Sequence, residues 1–230
     1  MQRTPTRWLV MVVASLVCLA GCQDSVATTP PPATATPAPV ATPTGPPPTS
    51  PVAETFNASD VPLAAGRYTR GAFVPRVTFA VDEGWLAVEA GARFWRLQRD
   101  PETPDVSVAV MLARPDGIYR DQGQLMAPTT AQAAADTLGA NAAIEVVSSD
   151  SSLMSGLTGL LLELEAAGSE AQAVHVPPGA LSVAPDARMW LALFDTPEGL
   201  VAIIVQGSAA DWDAVLAAAE PVLESVTIGL

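Results

Sequence analysis

Few side chains in this 230-residue chain are equipped for chemistry. Its one histidine, His175, stands between Val174 and Val176 just before Pro177-Pro178. There it reads as a base, a lone metal ligand or simply a half-exposed residue at a strand end. Glu163 and Glu165 are two positions apart, so on a strand they share one face. Paired carboxylates can serve as acid and base, or hold Ca²⁺. Leu160, Leu161, Leu162 and Leu164 put the strand's start and its other face in the core, and like charges on one face point to solvent. A third set is aromatic and cationic. Trp190 follows Arg188 by two residues, and Trp95 lies between Arg93 and Arg96. Trp95, Arg188 and Trp190 can line a groove for an anion, a sugar or a peptide, with the proline-rich stretch 177–186 as its cover. The competing role for these rings is to fill the core between a sheet and its helices.

The chemistry that is missing narrows the choice. The chain has no Lys, no Gly-x-Ser-x-Gly elbow and no His-Glu-x-x-His helix motif. It also lacks the Asp-x-Asp-x-Asp-Gly pattern of a calcium loop. Its two cysteines are Cys18 and Cys22, too few with one histidine for a zinc centre. Asp82-Glu83 belongs to a turn, and Asp211 and Asp213 suit the first turn of a helix, where the dipole favours carboxylates. The expectation is therefore no catalytic set, no metal and no cofactor.

Cys22 is different, because its chemistry is done to it. Arg3 and Arg7 precede an apolar run from Trp8 to Ala20, which is shorter than the ~20 residues a membrane span needs. The run has the length of a signal h-region and closes on Leu19-Ala20-Gly21-Cys22. This resembles the signal and lipobox of bacterial lipoproteins. The resemblance implies a diacylglycerol on the Cys22 thiol, cleavage before Cys22, and attachment to the extracytoplasmic face of the cell membrane. The alternative is an ordinary secretory signal with an incidental cysteine. In the lipidated form Cys18 leaves with the signal and the rest of the chain has neither thiol nor disulfide.

From Cys22 to residue 55 the chain is Pro, Thr, Ala and Ser with scarcely a large apolar residue. Such a segment cannot bury enough surface to offset its ordering entropy. Proline extends it at about 3.1 Å per residue, so roughly 30 residues reach about 100 Å. It reads as a spacer, with a glycosylated stalk or a ligand for proline-binding modules as alternatives. The chain carries 11 basic and 24 acidic residues. Without Arg3 and Arg7, nine basic residues face the same 24 acidic ones, a net charge of −15. An acidic body repels nucleic-acid phosphates and anionic headgroups, leaving the lipid as the anchor.

Residues 56–230 are enough for a single domain with a real core. Strand patterns occur at 67–73, 77–81, 94–98, 106–113, 144–149, 157–166, 189–194, 200–206 and 225–228. The stretch 106–113 is apolar enough to be buried on both faces. Residues 130–138 read as a helix capped by Thr129 or Thr130, and 210–223 as a second, with Ser208 as cap and Pro221 ending or bending it. The fold class is α+β: an antiparallel sheet of about six to eight strands with two main helices packed on it.

The order Gly66-Arg67-Tyr68, Glu83-Gly84-Trp85, Gly156-Leu157-Thr158-Gly159 and Ser225-Val226-Thr227-Ile228 resembles a group of bacterial lipoproteins with a PsbP-like α/β sandwich. That resemblance implies a domain that binds or supports partners, and it transfers no site residue by residue. The function expected is a membrane-anchored, non-catalytic binding or interaction module, monomeric, whose partner is an envelope protein or a small ligand. A small-ligand carrier using the Trp/Arg groove and a carboxylate-based envelope hydrolase are the alternatives.

Overall fold

The computed structural model describes residues 54–55, 61–99, 107–121 and 123–229. Cys22 and the Pro/Thr-rich segment up to residue 53 lie outside the described residues. The first elements are β1 (Glu54–Thr55), β2 (Val61–Leu63), β3 (Gly66–Thr69), β4 (Val77–Val81), β5 (Trp85–Ala90) and β6 (Phe94–Arg99). Next come β7 (Val108–Ala113), β8 (Gly117–Asp121), β9 (Gln124–Met126), α1 (Ala131–Gly139), β10 (Ile144–Met154) and β11 (Leu157–Ala166). The chain continues through β12 (Ala171–Val176), β13 (Gly179–Val183), β14 (Ala187–Thr196), β15 (Gly199–Ser208), α2 (Trp212–Ser225) and β16 (Thr227–Ile228).

The centre is an eight-stranded antiparallel sheet in the order β10-β11-β14-β15-β7-β6-β5-β2. Its middle strands are apolar at nearly every position, because both faces are covered. In β7 all six residues are buried. Val108, Val110 and Leu112 enter one core, and Ala109, Met111 and Ala113 enter the other. The first core is closed by α2, through Val215, Ala219 and Val222, and by the small sheet β1-β3-β4-β16, through Val77 and Phe79. The second is closed by α1, through Ala134 and Leu138, and by the small sheet β13-β12-β8-β9, through Ile118 and Val174. The α+β sandwich expected from the sequence is the observed architecture, with two flanking sheets added to the central one.

Local chemistry places the helices. Thr130 caps α1: its Oγ1 accepts from the Ala133 N–H at 3.1 Å. Asp195, in the β14–β15 turn region, accepts the Ala131 N–H at 2.8 Å, so the sheet supplies a second cap. At α2 the N-cap is Asp211, with no side-chain capping bond, and Ser208 Oγ instead accepts from the Ala210 N–H at 3.2 Å. Gly207 lets this helix approach closely: a Cβ there would stand 2.6 Å from a Val215 methyl.

Several elements depart from the sequence expectation. Pro221 neither ends nor visibly stops α2, which runs on to Ser225. Val222 and Ala219 hold it on the core, and Ser225 Oγ accepts from Ala80 N–H at 2.7 Å and donates to the Val222 carbonyl at 2.7 Å. Ser225 thus belongs to the helix, and only Thr227–Ile228 form a strand. Strand β3 stops at Thr69, and the stretch 177–186 is no long loop. Gly179–Val183 fold back on β12 as a hairpin whose turn is Pro177-Pro178. Strands β5, β8, β9, β12 and β13, short or with mixed polarity, had no clear periodic signal.

Candidate functional site

Along the β6 and β15 faces that look into the second core, the side chains turn from apolar to polar. Phe94 gives way to Arg96 and Gln98 on β6, and Leu200, Ala202 and Ile204 give way to Gln206 and Ser208 on β15. The register aligns these changes. Arg96, Met111 and Ile204 form one row across β6, β7 and β15, and Gln98, Ala109 and Gln206 form the next. The core gives out there, and an open cleft of about 320 Å³ takes its place, lined by Arg96, Gln98, Ser107, Gln206, Ser208 and Asp186. Its size is at the small end of ligand sites, about 300–1,000 Å³.

Arg96 is the unusual member of this cleft. Its Nη2 donates to Gln98 Oε1 at 3.2 Å, while its Nε is buried without an acceptor. Among the described residues it makes no ion pair; Glu89, opposite it in the register, is exposed and does not reach it. Buried arginine nitrogens ordinarily find acceptors, and among the described residues the Nε atoms of Arg96 and Arg188 have none. Gln206 is fixed, since its Nε2 donates to the Ser182 carbonyl at 2.7 Å and ties β15 to β13. Of the cleft's polar residues only Arg96 is singled out from the sequence beside a candidate groove; Ser208 reads as a helix cap and Asp186 as the end of the stretch 177–186. The available signal was the same-parity switch from apolar to polar within otherwise buried strands.

The residues picked out by type lie elsewhere. Trp95 is wholly buried in the first core, its ring stacked 4.6 Å from that of Phe79. Arg188 and Trp190 share the first-core face of β14, three strands away from β6. At about 4.8 Å per strand the separation from Trp95 is roughly 14 Å across the sheet. The structure therefore brings Arg188 and Trp190 together but places Trp95 apart from them. Arg188 lies over the Trp212 ring at 5.7 Å, and Trp212 is buried.

Glu163 and Glu165 do share a face, as their spacing required, but it is not a solvent face. It continues the side of β11 that carries Leu161 into the first core. Both carboxylates are held by Arg188, Glu163 at 3.8 Å and Glu165 in closer contact. Both carboxylates are therefore engaged within the chain, in ion pairs with one guanidinium. His175, on β12, is part-exposed, and its Nδ1 lies 2.6 Å from Asp116 Oδ1, with Arg93 3.9 Å from the other oxygen of that carboxylate. Tyr119 meets the imidazole edge-on. Among the described residues no group of three or more His, Cys, Asp or Glu is placed to hold a metal ion.

No family model matches the chain, and no curated protein matches it. It is similar to the solution structure of cyanobacterial PsbP from Synechocystis, at 14% identity and a TM-score of 0.41, over 76% of this chain and 98% of that one. It is similar also to a crystal structure from Bacteroides thetaiotaomicron, at 10% identity and a TM-score of 0.35, over 67% of this chain and 45% of that one. The α+β class rests on the strands and helices of the chain itself.

Proposed function

We propose that this chain is an extracytoplasmic lipoprotein, anchored through lipid on Cys22, whose α+β body is a non-catalytic binding module for a small ligand or an envelope protein. The observation that carries this reading is the polar cleft where the second core gives out, with an arginine nitrogen lacking an acceptor on its wall. The ion pairs of Glu163 and Glu165 with Arg188 weigh against the hydrolase alternative. The acidic composition favours a monomeric module that ignores nucleic acid and lipid headgroups. Two or more acyl chains on Cys22 give stable anchoring where one would be marginal.

The anchor and the binding role are tested separately. Cys22→Ser should abolish incorporation of labelled palmitate and move the protein out of the membrane fraction; a mutant that stays lipidated would overturn the anchor. For binding, cross-linking in intact cells and a ligand screen on the purified protein should together give a reproducible partner. Failure of both overturns the module.

A further inference from the structure

We infer that the cleft between β6, β7 and β15 takes a zwitterionic ligand, a free amino acid or a short peptide, with Arg96 receiving its carboxylate and Asp186 its amine. This rests on the binding-module reading and gives it a ligand class. A guanidinium presents a planar fork of donors that matches a carboxylate, and a charge-assisted pair of this kind is among the stronger hydrogen-bonding arrangements. Arg96 has the fork and lacks the partner: one nitrogen meets only the neutral Gln98 amide, and Nε meets nothing. Arg188 also has a buried Nε without an acceptor, but its Nη atoms pair with Glu163 and Glu165, whereas Arg96 makes no ion pair among the described residues.

Asp186, which also lines the cleft, is exposed and makes no ion pair among the described residues. Its backbone carbonyl is engaged with Ala209 N–H at 2.9 Å, which fixes the turn that carries it. One cation and one anion thus line a single small space, together with Gln98, Gln206, Ser107 and Ser208 as neutral donors and acceptors. The global charge agrees with this pairing. A chain with 24 acidic and 11 basic residues repels a phosphate or a polyanion, whereas a zwitterion is neutral overall and reaches the cleft without that penalty. The volume of about 320 Å³ suits a ligand of this size and is too small for a folded partner.

The test is calorimetric titration of the full chain with the free amino acids, a set of dipeptides, their methyl esters and N-acetyl derivatives, neutral monosaccharides and inorganic phosphate. Some amino acids or dipeptides should bind. Their methyl esters should bind at least tenfold more weakly, and Arg96→Met should remove binding. Arg96→Lys keeps the charge and the stem but loses the fork, and should weaken binding about tenfold with an unchanged melting temperature, which guards against misfolding of the methionine variant. Asp186→Asn should weaken amino acids but leave N-acetyl derivatives unaffected. Monosaccharide or phosphate binding that Arg96→Met leaves untouched overturns the zwitterion and keeps the binding module. Binding by none of these probes also overturns the zwitterion, while the binding module falls only if cross-linking yields no partner either.

Discussion

Arg188 stands directly opposite Glu165 across β14 and β11, and the same guanidinium reaches Glu163 at 3.8 Å. The two carboxylates that most invited a catalytic reading are thereby a structural ion-pair cluster, closed on its far side by the Trp212 ring under Arg188. Each of the three charged side chains is between 23% and 31% exposed, so water screens the pairs only in part. Arg188→Ala removes both pairs and the stem packed on Trp212, and leaves two like charges side by side. It is expected to cost about 1–3 kcal/mol in urea unfolding. A double-mutant cycle should find stronger coupling to Glu165 than to Glu163.

Trp95 is a packing residue. Wholly buried and stacked on Phe79, it should cost about 3–5 kcal/mol when cut to alanine. Trp190, only part-buried, should cost clearly less. Equal losses in denaturant unfolding would contradict this difference in burial.

The start of α1 is capped twice, by Thr130 from its own segment and by Asp195 from the sheet. Thr130→Ala and Asp195→Ala should each lower stability by about 1 kcal/mol. Because the two oxygens serve different N–H groups, the losses should be close to additive in thermal melts.

Two glycines are fixed by close approach. A Cβ on Gly159 would stand 2.3 Å from the Leu193 carbonyl oxygen and 2.5 Å from the Phe194 ring. A Cβ on Gly207 would stand 2.6 and 2.7 Å from the Val215 methyls. Gly207→Ala should destabilise by about 1–3 kcal/mol, since α2 can shift outward. Gly159→Ala should cost more, because its Cβ would come within 2.3 Å of a backbone oxygen, whereas at Gly207 the nearest backbone oxygen, of Ser107, would stand at 2.9 Å. Urea midpoints of the two variants provide the comparison.

The elements legible in the sequence were those whose environment is uniform along their length. The run 106–113 is apolar at alternate and intervening positions alike, and it forms β7, covered on both faces. Thr130 before an alanine-rich run reads as a cap and is one. The expected strand 157–166 matches β11, and the pair 189–194 and 200–206 lies within β14 and β15, because hairpin strands with long apolar stretches leave a strong periodic trace. Strands β8, β9 and β13 are three to five residues long and gain their order from neighbours rather than from their own pattern. Pro221 was expected to end or bend α2, and the helix does not end there, since burial of Val222 beyond it carries the helix onward.

Residue types and spacing by themselves determined the α+β class, the sharing of a face by Glu163 and Glu165, and the acidic balance of the chain, because alternation, helical periodicity and charge are local properties. Which residues meet was decided only by the tertiary structure. Trp95 and Trp190 are on one face but strands apart, Arg188 finds Glu163 and Glu165, and Arg96 is brought to a cleft with Gln206 and Asp186. Strand order and register set those meetings, and they arise from the simultaneous packing of both faces of the central sheet, which no single segment encodes.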